Sequence, residues 1–182
     1  AVAVGFSLAV TLPRAGNLGG GGFMLIYLKD QNEILAIDYR GQSPSKLELK
    51  QVFGVELPRD YEKADRDIVR YGYKASTIPG TVSGLLLAHS QFGKLPLKEI
   101  MKPAIQQAKN GIHVSFDLEQ AIASAPQLSW DDESREIYLK DGKPLKEGSI
   151  MKRPDLANTM IQISENGANG FYGGEIAEKI AT

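Results

Sequence analysis

The sequence predicts an α+β fold, with two strands near the start of the chain and a helix-rich remainder. Two apolar runs of strand length, residues 23–27 and 34–40, flank a polar turn, which indicates a β-hairpin. Later segments carry apolar residues at helical spacing, most clearly residues 97–108. The chain has 182 residues, of which 42% are hydrophobic, so it can bury a packed core.

The predicted hairpin is framed by a glycine run and an arginine. Gly19 to Gly22 precede the first strand, and glycine permits positive φ and close approach of another chain segment. The unbroken apolar run that follows predicts a strand buried on both faces. The second run ends on Arg40, whose guanidinium can bind a carboxylate through two parallel hydrogen bonds. Arg40 is therefore a candidate anion-binding residue, and the alternative is a surface arginine paired with Asp38 or a nearby Glu.

Helices are predicted before and after the hairpin. Residues 1–10 are predicted as the latter part of a buried helix, and they are too few to span a bilayer, which takes about 20 residues. A second helix begins at Thr81 and ends at Gly93. A third covers residues 97–108, where Pro103 predicts either a kink or two abutting helices because proline removes a backbone donor.

The remaining segments carry start and stop signals. Ser115 is a predicted N-cap, and a helix opened by Pro154 ends near Asn166. A short strand is predicted at residues 137–139, followed by a tight turn at residues 141–142. Short helices and loops are expected in residues 45–74, where residues 60–70 read as a solvated helical face, and residues 175–182 are predicted to be helical.

Composition and the absence of certain motifs exclude several classes of function. The net charge of −1, with acids and bases interspersed, offers no electrostatic basis for a nucleic-acid partner. There is no cysteine, so disulfides and thiol chemistry are excluded within this stretch. The glycine run leads into a strand rather than a helix and lacks the Gly-Lys-Ser/Thr ending of a phosphate loop. No Gly-x-Ser-x-Gly elbow for a serine nucleophile occurs.

Other polar and aromatic residues have ordinary interpretations. His89 falls on an apolar helix position, where a core-edge residue is favoured over a general base, and His113 is predicted to lie in a loop. The two histidines lie far apart without a carboxylate triad, so no metal site is predicted. The acids at residues 131–133 are expected to be solvated, and Trp130 is expected in the core or at a packing edge.

Several motifs, taken in order, carry a family resemblance. They are Thr11-Leu12-Pro13-Arg14-Ala15-Gly16-Asn17-Leu18-Gly19-Gly20-Gly21-Gly22-Phe23-Met24, Ala36-Ile37-Asp38-Tyr39-Arg40, Ile78-Pro79-Gly80-Thr81-Val82-Ser83-Gly84, Phe92-Gly93-Lys94-Leu95-Pro96-Leu97, Pro103-Ala104-Ile105-Gln106-Gln107-Ala108, Asn110-Gly111 and Gly170-Phe171-Tyr172-Gly173-Gly174. Together they resemble the large subunit of the γ-glutamyltranspeptidases, also called γ-glutamyltransferases or glutathione hydrolases. The resemblance covers nearly the whole chain.

The resemblance implies an N-terminal nucleophile hydrolase with a four-layer αββα fold, which cuts itself into a large and a small subunit. Residues 1–182 would be a single excerpt of the large subunit, truncated at both ends and without separate domains. This excerpt would be a helix-rich part of the fold with a few central strands. No cofactor is implied. The location implied is periplasmic or extracellular.

The same resemblance assigns a role to one residue of this chain. Arg40 matches the family's arginine that binds the α-carboxylate of the γ-glutamyl group. The catalytic threonine belongs to the small subunit, which would be the protein partner, while glutathione or other γ-glutamyl compounds would be the small-molecule partners. The chain by itself would hold no catalytic residue and be inactive.

Three alternatives to this function stay open at the level of sequence. Cephalosporin acylases and poly-γ-glutamate-processing transpeptidases share the architecture and differ mainly in the half that carries the nucleophile. A non-catalytic lobe that binds small acids is the third alternative. A downstream threonine at a cleavage junction would favour an enzyme.

Overall fold

The computed structural model describes residues 1–48, 71–72 and 75–181. The helices there are α1 (Val2–Thr11), α2 (Thr81–Phe92), α3 (Leu97–Asn110), α4 (Phe116–Ala123), α5 (Asp132–Tyr138), α6 (Pro154–Asn166), α7 (Asn169–Tyr172) and α8 (Gly174–Ala181). The strands are β1 (Phe23–Leu28), β2 (Glu33–Asp38), β3 (Ile112–His113), β4 (Leu139–Lys140), β5 (Lys143–Pro144) and β6 (Ile150–Met151). Most of the segment predicted as short helices and loops, including residues 60–70, lies outside the described residues.

A helical layer forms the main core. Helix α3 packs against α1 on one side and α6 on the other. Alanines let the helices approach closely, and large side chains fill the space between them: Ala9, Ala104, Ala108 and Ala157, with Phe6, Met101, Met160 and Ile163 fully buried. Helix α1 forms as predicted but is buried on one face only, because Val4 and Leu8 are exposed.

Helix α3 continues through Pro103 as one element, so the prediction of two abutting helices is wrong. The missing proline donor costs an interior helix about 3 kcal/mol. Burial of Met101, Ala104 and Ala108 between two neighbouring helices offsets that cost. Tertiary packing therefore overrides the local break signal.

The hairpin forms with the predicted strands but a different burial. Its register pairs Phe23 with Asp38 and Leu28 with Glu33. One face, which includes Met24, packs against the helical core. On the other face Phe23 is 68% exposed and Leu25 is 76% exposed. The prediction of a strand buried on both faces is wrong for the described chain, because nothing in the described residues covers this second face.

Three polar signals in the second half mark turns and helix starts. The Ser115 hydroxyl accepts from the Leu118 N–H at 3.2 Å, which confirms the predicted N-cap of α4. Asp131 accepts from the Ser134 N–H at 2.8 Å and caps α5. The acids at residues 131–133 are exposed, as predicted, although they lie at a helix start rather than in a loop. The turn between β4 and β5 has positive φ at Asp141 and Gly142, as a two-residue hairpin requires.

Two further predictions in this region are corrected. Residues 137–138 end helix α5, and the strand begins only at Leu139. The Asp131 cap stabilises the first turn of α5, and the helix continues through Ile137 and Tyr138 although these residue types favour strands. Of the two places expected for Trp130, the core is wrong: the side chain is 70% exposed and makes an edge contact with Tyr71 at 5.7 Å.

Candidate functional site

Backbone hydrogen bonds join three chain segments at the end of β2. Tyr39 and Gly22 exchange two bonds of 3.0 and 3.2 Å, which extends the hairpin ladder by one pair. The Gly20 carbonyl accepts from the N–H groups of Gly80 and Thr81 at 2.8 and 3.0 Å, at the start of α2. We call this cluster, residues 19–22, 39–42 and 78–81, the glycine junction.

The glycines of the junction are required for space. A Cβ on Gly21 would lie 2.5 Å from the Gly41 nitrogen and 2.6 Å from the Tyr39 carbonyl oxygen. A Cβ on Gly80 would overlap the same carbonyl. None of Gly19 to Gly22 has a positive φ, so close approach rather than unusual backbone conformation explains the run.

Tyr39 is the side chain around which the junction packs. Its side chain lies against Gly22 and against Gly84 of α2: a Cβ on Gly84 would overlap it, and one on Gly22 would lie 3.0 Å from the ring. Its hydroxyl donates to the Phe23 carbonyl at 3.3 Å. Sequence reasoning missed this role, although an aromatic residue beside Arg40 and opposite a glycine run was a usable signal.

Arg40 lies directly after Tyr39 and is exposed. Its backbone N–H donates to the Asp38 Oδ1 atom at 3.0 Å. Its guanidinium carbon lies over the Phe23 ring, 5.8 Å from the centroid. Among the residues that the structure describes, its guanidinium makes no ion pair, so the alternative of pairing with Asp38 or a nearby Glu is not realised. The N–H groups of the guanidinium are available to an anion.

A tyrosine from the last third of the chain supports the junction. The Tyr172 hydroxyl donates to the Pro79 carbonyl at 2.8 Å and accepts from the Ser83 N–H at 3.0 Å. It thereby ties α7 to the first turn of α2. Sequence reasoning did not assign this contact, because nothing local in the sequence connects residues so far apart.

Both histidines lie away from Arg40 and bond to backbone carbonyls. His89 Nε2 lies 2.8 Å from the Leu95 oxygen, and His113 Nδ1 lies 3.3 Å from the Gly148 oxygen. The described residues contain no cluster of acids and histidines that could hold a metal ion. In the same residues, no helix is both long and apolar enough for a membrane span.

Arg40 lines neither of two cavities that the described residues form. One of about 420 Å³ lies between α1, β1 and α2 and includes His89 in its wall. The other, of about 940 Å³, lies among α6, α7 and α8. Arg40 instead stands on an open surface beside the exposed face of the hairpin.

Comparison with known proteins assigns the family. The model of the γ-glutamyltranspeptidase family matches residues 1–182. The chain belongs to the γ-glutamyltranspeptidase family. It is 40% identical over 183 residues to the glutathione hydrolase proenzyme of Escherichia coli, an alignment that covers 100% of this chain and 30% of that protein.

Solved structures confirm the predicted α+β, N-terminal nucleophile hydrolase-like fold. The γ-glutamyltranspeptidase of Helicobacter pylori superposes with a TM-score of 0.88 at 34% identity, covering 98% of this chain and 50% of that one. The cephalosporin acylase of Bacillus halodurans has a TM-score of 0.82 at 25% identity, covering 99% of this chain and 33% of that one. The chain spans about a third of the length of the curated relatives that it matches.

Proposed function

We propose that the complete protein carrying this chain cleaves the γ-glutamyl amide of glutathione and related compounds and transfers the γ-glutamyl group to water, amino acids or dipeptides. The observation that supports this most is the Arg40 guanidinium. It is exposed, has no ion-pair partner among the described residues, and is held at the end of a tightly packed strand. A small acid is the ligand class that suits such a group.

Arg40 would act by positioning the donor. A planar guanidinium accepts the two oxygens of an α-carboxylate side by side, which fixes both the position and the orientation of the glutamyl group. The γ-carbonyl, at the other end of the glutamyl chain, is then held at a defined distance from the arginine. Orientation of this kind lowers the barrier of an acyl transfer because the reacting groups no longer have to find each other.

The covalent steps belong to groups outside this chain. A threonine hydroxyl of the small subunit, with its own free amine as base, attacks the γ-carbonyl carbon, and the amine of the donor leaves with a proton. Water or an amino acid then attacks the acyl ester and regenerates the hydroxyl. In this proposal residues 1–182 are a single large-subunit segment that is inactive alone, the small subunit is the partner, and no cofactor takes part. The place of action is the periplasm or the extracellular space.

Related amide chemistry is the second candidate. The fold similarity to a cephalosporin acylase is close, at a TM-score of 0.82, but its 25% identity is below the 34% shared with the Helicobacter pylori γ-glutamyltranspeptidase. A donor without a free α-carboxylate would leave Arg40 without a ligand. A poly-γ-glutamate-processing enzyme would differ from the proposed function in the donor that it accepts. A non-catalytic lobe would differ in showing no turnover.

The test uses the complete protein. Purified protein is run on a denaturing gel and assayed for amine release from a γ-glutamyl anilide, in wild type and in Arg40→Lys. We expect two fragments, turnover, and a KM raised about 10- to 100-fold in the variant, since a charge-assisted hydrogen bond is worth about 1.5–3 kcal/mol. Arg135→Lys, a change at an exposed arginine of α5, is the matched control and should leave KM unchanged.

The contrary outcomes are equally definite. One uncut band without turnover would identify a non-catalytic relative. Turnover of a cephalosporin side-chain amide but not of the γ-glutamyl anilide would favour the acylase. An unchanged KM in Arg40→Lys, with turnover intact, would remove Arg40 from the donor site.

A further inference from the structure

The surroundings of Arg40 carry an inference that rests on the proposed function and goes beyond it. Phe23 begins β1 and faces Asp38 across the hairpin. Residues two apart on a strand share a face, so Arg40 follows Asp38 on the side that carries Phe23. The Phe23 ring is therefore the diagonal cross-strand neighbour of the guanidinium, within reach of a long side chain.

The Phe23 ring contacts the Arg40 guanidinium without using its N–H groups, whereas a carboxylate would use them. The guanidinium carbon lies over the ring at 5.8 Å from the centroid, within the range of a cation–π contact. Such a contact restricts a side chain that otherwise has several rotatable bonds, and it uses none of the oxygen-binding N–H groups. A carboxylate at the same place would occupy those groups and compete with a bound acid.

The nearest acid is directed elsewhere. Asp38 Oδ1 accepts from the backbone N–H of Arg40 at 3.0 Å, so this carboxylate shapes the turn at the strand end rather than neutralising the guanidinium. The backbone of Phe23 is also held, because its carbonyl accepts from the Tyr39 hydroxyl at 3.3 Å. These contacts leave the Arg40 guanidinium over the Phe23 ring and without an ion-pair partner among the described residues.

We propose that Phe23 is a positioning residue for the donor site: its ring holds the Arg40 guanidinium in place for the α-carboxylate of a γ-glutamyl donor. Phe23 acts through Arg40 and touches no reacting atom.

The experiment compares two donors on the complete protein: a γ-glutamyl anilide with a free α-carboxylate and the same anilide with an α-carboxamide. In Phe23→Leu, the KM for the free acid should rise about two- to fivefold, which corresponds to the loss of an exposed cation–π contact. The kcat should be retained, and the carboxamide donor, which carries no charge for Arg40, should be unaffected. The ratio of kcat/KM for the free acid to kcat/KM for the carboxamide should therefore fall.

Two variants separate positioning from structure. Phe23→Tyr keeps the ring and should restore the wild-type preference. Tyr27→Leu removes an aromatic ring from the same strand and the same exposed face, away from Arg40, and should leave both donors unchanged. A purely structural role for Phe23 would lower activity towards both donors alike in Phe23→Leu.

The outcomes distinguish this inference from the proposed function. If wild type turns over the free acid and Phe23→Leu keeps the same preference, Phe23 is not a positioning residue while the proposed function stands. If wild type turns over neither donor, the proposed function fails and this inference fails with it. A lower ratio of free acid to carboxamide turnover in Phe23→Leu, with the wild-type ratio in Phe23→Tyr, supports both the inference and the proposed function.

Discussion

The helical layer and the glycine junction reach close packing by opposite means. In the layer, helices α1, α3 and α6 interlock through side chains such as Phe6 and Met160, which are fully buried. In the junction, backbone lies against backbone, and a single Cβ on Gly21 would come within 2.6 Å of two backbone atoms. The layer buries apolar volume, whereas the junction excludes it.

The difference separates stability from function in this molecule. A side-chain core can relax around a missing methylene group, so its loss is felt mainly in the free energy of unfolding. A backbone junction can accommodate an added atom only by moving the strand end, and Arg40 moves with it. We therefore expect substitutions in the layer to change stability alone, and substitutions in the junction to change donor binding as well.

Removal of the large buried ring in α1 should have the largest effect on stability. Phe6→Ala in the complete protein should lower the free energy of unfolding by about 3–5 kcal/mol, because the ring is fully buried and leaves a cavity. Denaturant unfolding measures this, and the KM for a γ-glutamyl donor should be unchanged. Leu8→Ala, on the exposed side of the same helix, should cost far less. A shifted KM in Phe6→Ala would break the separation proposed above.

An added methyl group in the junction should have a smaller effect on stability and a larger one on binding. Gly21→Ala should cost about 1–3 kcal/mol, as overpacking does, and should raise the donor KM because the displaced strand end carries Arg40. Gly19→Ala is the matched control from the same run, since its Cβ would meet only the Asn17 side chain at 3.6 Å. Equal behaviour of the two variants in unfolding and in donor kinetics would contradict a junction built on close approach.

Loss of the Tyr172 hydroxyl should have the smallest effect on stability. It tests the contact that joins the helices to the glycine junction. Tyr172→Phe removes the group that bridges Pro79 and Ser83, and should lower the free energy of unfolding by about 1 kcal/mol. Thermal unfolding of the complete protein measures the change. Tyr138→Phe, whose hydroxyl makes no hydrogen bond within the described part of the chain, is the control. No difference between the two would mean that Tyr172 does not support the junction.

Much of this arrangement could be predicted from sequence wherever the signal was local. Ser115 capped its helix, the Asp141–Gly142 turn formed, and the helices opened by Thr81 and Pro154 begin where expected, because each depends on residues within one turn. The family resemblance was confirmed along the whole chain. The family resemblance also identified Arg40, and its role as a carboxylate anchor stays a prediction.

Predictions failed where distant residues decide the outcome. At Pro103 the alternative of two abutting helices was wrong, because α3 packs against α1 and α6 as one element. Among the described residues one face of β1 is exposed, and its apolar run could not show this, because burial depends on which segments cover each face.

The sequence by itself determined the family, the hairpin and the arginine at its end, since short-range patterns and motif order specify these. Only the tertiary structure decided that Tyr39 packs against Gly22 and Gly84, that Phe23 lies under the guanidinium, and that Tyr172 reaches Pro79. The physical reason is that these contacts join residues brought together by strand register and helix packing. No local propensity encodes them.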